Sequence, residues 1–258
     1  MGSALEFRIQ SMPVPVPIPP FFIFFAFFLL LYIVAYIFVF KNWTSKLRPE
    51  ASSCFISLFH GTPAAILATC SLLSNPHPQS FASPNTPFQN VVLEYSIAYF
   101  TMDLIHYIIF FPKEILFISH HLATLFVFLT CRYAVSYGAF SILVLLVLAE
   151  VTSFLQNLWT LANVRRFDNE FAAKMYAVLS LPFYVLYTIV RGFLGPMFVY
   201  RMAAFYVSGG ADGLIPRWVW VSWICVVATA IMVSILWIWN LWVDWIKERS
   251  RELEKKIE

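Results

Sequence analysis

A polytopic, all-α membrane protein is the fold class the sequence predicts, and three observations carry that expectation. Only 12% of the 258 residues are charged while 60% are hydrophobic, against about 25% charged in soluble domains. No water-soluble fold of this size hides so much apolar surface, because roughly a quarter to a third of the unfolded area stays exposed. The apolar residues are also gathered into runs of about 20, the length a helix needs to cross the hydrocarbon. A net charge of +3, weak and dispersed, argues against nucleic acid as a partner. Cys54, Cys70, Cys131 and Cys225 lie within or at the edge of apolar runs, so they read as small buried hydrophobes rather than a disulfide framework.

Seven segments qualify as spans: 21–40, 51–73, 91–111, 115–132, 136–162, 175–200 and 217–246. Before the first, the alternating prolines of Pro13 to Pro20 favour extended polyproline II. A single Arg and the lack of a small-residue cleavage site make the first span a retained anchor rather than a signal peptide. Glu6 stands where a myristoylation signal at Gly2 needs Ser or Thr. The 74–90 connection is rich in Pro, Ser and Asn and carries no Lys or Arg. Pro112-Lys113-Glu114 is so short that the third and fourth spans must be antiparallel neighbours. Tryptophans flank both ends of the last span, an aromatic belt that fixes depth. The chain divides into a Pro-rich tail (1–20), an anchor and loop (21–49), a six-span domain (50–246) and a charged tail (247–258).

The basic residues set the expected orientation. Lys41, Lys46, Arg48, Lys113, Arg165, Arg166, Lys174 and five more after Ile246 lie on one side, against Arg8, Arg132, Arg201 and Arg217 on the other. This bias predicts a lumenal N-terminus and a cytosolic C-terminus. Lys255 and Lys256, third and fourth from the end, then look like a dilysine signal for retrieval to the endoplasmic reticulum by the COPI coat. The alternative is a solvated, mixed-charge helix end.

Ionisable side chains inside the bilayer cost at least ~2.5–3.5 kcal/mol for Asp, Lys or Arg, which makes them functional candidates. Here they are His60, Asp103, His106, His120, His121, Glu150 and Arg191. Helical spacing puts Tyr95, Tyr99, Asp103, His106 and Phe110 on one side of the third span, so that Asp103 and His106 can interact. Thr124 follows both His120 and His121 at helical spacing; Glu150, Ser153, Asn157 and Thr160 align in the fifth span. Ser53, Ser57 and His60 mark the second, and Ser180, Tyr184, Tyr187, Arg191 and Gly195 the sixth. Five polar stripes in apolar helices predict one interior cavity, because a polar residue facing lipid is penalised. At about 1.5 Å per residue, Asp103, His60, His106, His120 and His121 lie roughly 8–14 Å from the cytosolic end, with Glu150 slightly deeper and Arg191 in the lumenal half. Purely structural pairing, Asp103 with His106 or Glu150 with Arg191, is the competing reading.

Five histidines are too few for a membrane di-iron site, and no lysine lies inside a span to form a retinal Schiff base. The chain has no Gly-rich phosphate loop and no Gly-x-Ser-x-Gly elbow. A zinc on Asp103, His106 and His120 or His121 is allowed by ligand type, but no metal and no bound cofactor are expected.

The stretch from Tyr99 to Asn163 resembles the TLC domain family, which includes ceramide synthases and translocating-chain-associating membrane proteins. The matching pieces are YFTMDLIHY (Tyr99 to Tyr107), FISHHLATL with its double histidine, and LAEVTSFLQNLWTL (Leu148 to Leu161), with His60-Gly61 and Arg191 in support. The resemblance covers about residues 50 to 245 and is closest in look to plant members of unassigned function. It implies a helical bundle around a lipid cavity, generally in the endoplasmic reticulum. In ceramide synthases the double histidine is linked to acyl transfer from acyl-coenzyme A to a sphingoid amine. Those enzymes carry His-Asp followed by Ser-Asp in the fifth span. Here Ala149-Glu150-Val151-Thr152-Ser153 lacks the histidine and the second aspartate, and no homeobox-like segment precedes the domain. Ceramide synthesis itself is therefore not the expectation.

Three functions remain open on the sequence. The first is acyl transfer to a lipid amine or hydroxyl, with acyl-coenzyme A as co-substrate. His120 or His121 is then base or acyl acceptor, Asp103 orients a ring and Glu150 is a second acid/base. His60, His106, Asn157 and Arg191 contact the lipid or thioester. The second is non-catalytic binding, trafficking or homeostasis of membrane lipids in the same pocket; the third is a translocon-associated helper.

Overall fold

The computed structural model describes residues 19–257, leaving out the side chains of 252, 253 and 255–257. The polyproline reading of Pro13 to Pro17, Gly2 and Arg8 therefore lies outside the described residues, as do the side chains of Lys255 and Lys256. The described residues form nine α-helices: α1 (Pro20–Val34), α2 (Arg48–Leu73), α3 (Pro87–Phe110), α4 (Ile115–Leu129), α5 (Ala139–Glu150), α6 (Ser153–Arg165), α7 (Glu170–Tyr187), α8 (Gly195–Val207) and α9 (Arg217–Ile257). Three short π-helical stretches extend α1, extend α4 and join α7 to α8.

Six helices or helical runs are long and apolar enough to cross a membrane: Pro20–Val39, Arg48–Leu73, Ile115–Val135, Ala139–Arg165, Glu170–Val207 and Arg217–Arg251. The expectation of seven counted α3 as well. Its 24 residues are long enough, but Gln89, Asn90, Glu94, Ser96, Asp103 and His106 lower its apolarity. The bundle accommodates that polarity by surrounding it: α3 packs against α1, α2, α4 and α5, and Gln89, Glu94, Ser96, Asp103 and His106 are all buried. Its start is fixed by a capping box, in which Thr86 accepts from Gln89 N and the Gln89 side chain accepts from Thr86 N.

α1 buries Phe28 and Tyr32 in the same core as Ile56, Leu93, Tyr99 and Phe128. The short Pro112 to Glu114 turn lays α4 back along α3, as the sequence requires. Gly138 opens α5 at φ +86°, and a Cβ there would come within 2.9 Å of the Trp223 ring, so only glycine fits. The predicted 136–162 span is broken after Glu150, with Val151 and Thr152 as a turn between α5 and α6. The cysteine expectation holds for Cys54 and Cys131, which are buried. It fails for Cys70 and Cys225, which lie on outward helix faces where an apolar thiol meets lipid without penalty.

Candidate functional site

A cavity of about 390 Å³ lies between the inner faces of α2 to α6, the π-helical stretch Thr188–Leu194, and α9. That volume falls within the ~300–1,000 Å³ usual for small-molecule sites. Asp103, His120, His121, Glu150, Asn157 and Arg191 all line it, with Ser53, Ser57, Thr124 and Gln156 adding polar groups. Phe100, Phe128, Leu145, Leu146 and Ile231 form part of its apolar wall. The stripes read from helical spacing thus converge. His60 and His106 are not among the lining residues.

The centre of the polar wall is Asp103. Its Oδ1 accepts from Ser53 Oγ at 2.6 Å; its Oδ2 accepts from Tyr99 OH at 3.5 Å and lies 2.9 Å from His121 Nε2. His121 Nδ1 is 2.7 Å from the Phe117 carbonyl oxygen. A carbonyl only accepts, so Nδ1 carries a proton and donates to it. The remaining proton then lies on Nε2 as imidazolium facing carboxylate, or on Asp103 as a carboxylic acid facing neutral imidazole. In both arrangements each nitrogen of His121 is engaged, and the ring has no lone pair free for a substrate.

His120 is different. Adjacent helical residues point about 100° apart, so where His121 turns inward to α3, His120 turns to the cavity and is exposed there. It makes ring contacts with Phe100 and His121 but no hydrogen bond among the described residues. Of the adjacent pair, only His120 offers both nitrogens to a ligand.

Glu150 sits on the last residue of α5, at the helix break. Its Oε1 lies 3.8 Å from His60 Nδ1. A Cβ placed on Gly61 would meet Glu150 Oε2 at 2.8 Å and Ser153 Cβ at 2.7 Å, so glycine lets α2 approach this break closely. Arg191, in the π-helical stretch, donates from one terminal nitrogen to the Ala149 carbonyl at 2.9 Å. That carbonyl lies at the C-terminal end of α5, where a cation is favourable. Arg191, expected to contact a headgroup or thioester, thus lines the cavity and also braces the break that presents Glu150. Asn157 is a brace too: its Nδ2 donates to Ser57 Oγ at 2.9 Å, and to the Ser153 carbonyl and hydroxyl at 2.8 and 3.1 Å.

Two expected lipid contacts lie behind the wall. His60 is fully buried, stacked on Tyr99 with ring centroids 4.0 Å apart, and bonded through Nε2 to Ser96 Oγ at 3.2 Å. His106 is not bonded to Asp103; it pairs through Nδ1 with Tyr32 OH of α1 at 2.8 Å. Positions three apart differ by about 60° around a helix, and the boundary between the cavity face and the α1 face of α3 falls between Asp103 and His106. The sequence reading missed Tyr32, which lies in an apolar run with no polar stripe to mark it. It also missed the pair of buried Glu94 with Arg132, whose Nη2 approaches to 2.6 Å. Glu94 lies four positions into the third apolar run, where a closer count of its ionisable residues would have caught it. Among the described residues, no group of three His, Cys, Asp or Glu side chains is placed to hold a metal ion.

Comparison with known proteins adds the family. The TLC domain model matches residues 50–243. A TLC domain-containing protein of Arabidopsis thaliana is 58% identical over 240 residues, covering 91% of this chain and 94% of its own. No solved structure matches the chain.

Proposed function

The chain belongs to the TLC domain family, and from that premise we propose that it transfers an acyl group from acyl-coenzyme A to a lipid amine or hydroxyl in the His120-lined cavity. The observation that carries this reading is the division of labour in the double histidine: His121 is tied at both nitrogens, and His120 beside it is free. An imidazole with an unengaged ring nitrogen can accept a proton there, which suits general base catalysis. His120 takes the proton as the acceptor's nitrogen or oxygen attacks the thioester carbonyl. The tetrahedral intermediate collapses with cleavage of the C–S bond, and the imidazolium returns the proton to the departing thiolate. Asp103 and His121 fix the wall behind this ring, and Glu150 supplies a second acid/base.

In this reading the chain is a multi-pass protein of the endoplasmic reticulum membrane with its N-terminus lumenal. The bias of basic residues and the Lys255-Lys256 end support it. α3 is the seventh crossing: its 24 residues reach about 36 Å against the ~30 Å hydrocarbon, and its polar groups face protein. Residues 50–246 are the TLC domain, α1 an anchor packed onto it, and the membrane lipids its partners.

Purified protein incubated with acyl-coenzyme A and lipid amines or alcohols tests the proposal. His120→Ala should abolish acyl transfer in a folded protein, and His121→Ala should impair it together with stability. A second reading, non-catalytic lipid binding, is favoured by the bracing of Asn157 and Arg191, which spend donors on helix contacts rather than on a substrate. Wild type that binds lipid without acyl transfer would leave that reading standing, whereas turnover retained in His120→Ala would remove His120 from the base role.

A further inference from the structure

A second concavity, of about 310 Å³, lies at the end of the bundle where α6 turns into α7. It shares no lining residue with the His120 cavity. Its walls include Phe40, Trp43, Leu161, Ala162, Phe171 and Met175, so it is an apolar groove. Its rim is basic. Arg165 lines it, with its guanidinium 4.9 Å above the Trp43 ring and its Nε donating to both Asp168 oxygens at 2.9 Å. The terminal nitrogens of Arg165 make no hydrogen bond among the described residues. Three exposed lysines with no ion-pair partner among the described residues flank the lining in sequence: Lys41 beside Phe40, Lys46 three residues after Trp43, and Lys174 beside Met175. Phe167 and Phe171, both strongly exposed, project from the same turn and suit an apolar–polar boundary.

We propose that this groove is a binding site for an anionic glycerophospholipid, with one acyl chain against Trp43, Leu161 and Met175 and the phosphate at Lys41, Lys46, Lys174 and the free edge of Arg165. An apolar slot accommodates a chain of any phospholipid, so charge complementarity selects the headgroup. Asp168 is matched by Arg165, and Glu170 is the one further acid on this turn. The surplus of cations is therefore available to a lipid. A lysine near an anionic lipid surface contributes about fivefold in affinity.

The test uses the full chain in nanodiscs of equimolar phosphatidylcholine and phosphatidylserine, with bound lipid counted by native mass spectrometry after release. Wild type should retain phosphatidylserine over phosphatidylcholine by about tenfold or more. A Lys41→Gln, Lys46→Gln, Lys174→Gln variant changes only exposed side chains and should lower that preference to within about twofold. Ala172→Trp fills the groove and should remove the retained lipid; Ala172→Leu repeats the measurement with a smaller filling if the larger one does not fold. Equal retention of both lipids by wild type, an unchanged preference in the lysine variant, or full retention in the filled groove would each overturn the proposal. Acyl transfer at His120 is read separately, since neither set of substitutions touches that cavity.

Discussion

Asp103→Ala should be among the most destabilising single substitutions in the bundle, and its cost can be worked from its partners. The residue is buried, with a relative exposure of 3%. Its removal leaves the Ser53 hydroxyl and His121 Nε2 without their partners at 2.6 and 2.9 Å, and deprives Tyr99 OH of a long bond at 3.5 Å. An unsatisfied buried polar group costs ~1–3 kcal/mol, and breaking a buried charged pair from one side costs ~3–5 kcal/mol. A total of about 4 kcal/mol is expected. For a chain of this size it lowers Tm by roughly 8–16 °C at ~2–4 °C per kcal/mol. Asp103→Asn keeps one acceptor and the side-chain volume, so it should lose less than half as much. Thermal unfolding in detergent, followed by tryptophan fluorescence, reads both. The sharper form is a double-mutant cycle with His121→Ala, which should show a coupling of about 2 kcal/mol or more, whereas independent sites add within ~0.5 kcal/mol. Additive losses, or an Asp103→Ala protein within 2 °C of wild type by the ~2–4 °C scale, would refute the pairing.

Gly61→Ala should destabilise by about 1 kcal/mol, because overpacking costs ~1–3 kcal/mol and the helix-forming gain over glycine returns only ~0.5–1 kcal/mol; the same thermal assay measures it. Tyr32→Phe strips His106 Nδ1 of its partner and should cost ~1–3 kcal/mol while leaving ligand affinity in the cavity unchanged, since neither residue lines it. Lys255→Ser with Lys256→Ser should release a reporter tail from the endoplasmic reticulum, and unchanged retention would reduce the two lysines to surface charge. Tags in the 74–90 loop and at the C-terminus should show opposite protease access in sealed microsomes; equal access would contradict the orientation.

Much of the site was legible because helical periodicity is a local property. Asp103, His120, His121 and Glu150 stand in stripes whose spacing reveals their face, and the cost of a polar group in lipid turns those faces inward. Rotation finer than about 60° is not local, which is why His106 was grouped with Asp103 although it faces Tyr32. The choice between His120 and His121 was likewise invisible, because it depends on which ring meets α3. The break after Glu150 carries no Pro or Gly to mark it, whereas Gly192 lies inside the π-helical stretch at Arg191; the two are joined by a hydrogen bond between segments 42 positions apart. α3 is the opposite case: the sequence reading counts it as a span, and its buried polar residues leave it outside the six helical runs long and apolar enough to cross a membrane.

The central claim is that the cavity walled by α3, α4, α5 and α9 receives a lipid acyl chain beside His120. Photocrosslinking with a fatty acyl lipid bearing a photoreactive group along its chain, followed by peptide mapping of the labelled protein, addresses it directly. Labels should concentrate on the cavity residues Phe128, Leu145, Leu146 and Ile231 and should disappear when Thr124→Trp fills the space next to His120. Labels confined to outward-facing residues such as Leu122, Phe126 and Met232, and unaffected by Thr124→Trp, would contradict it.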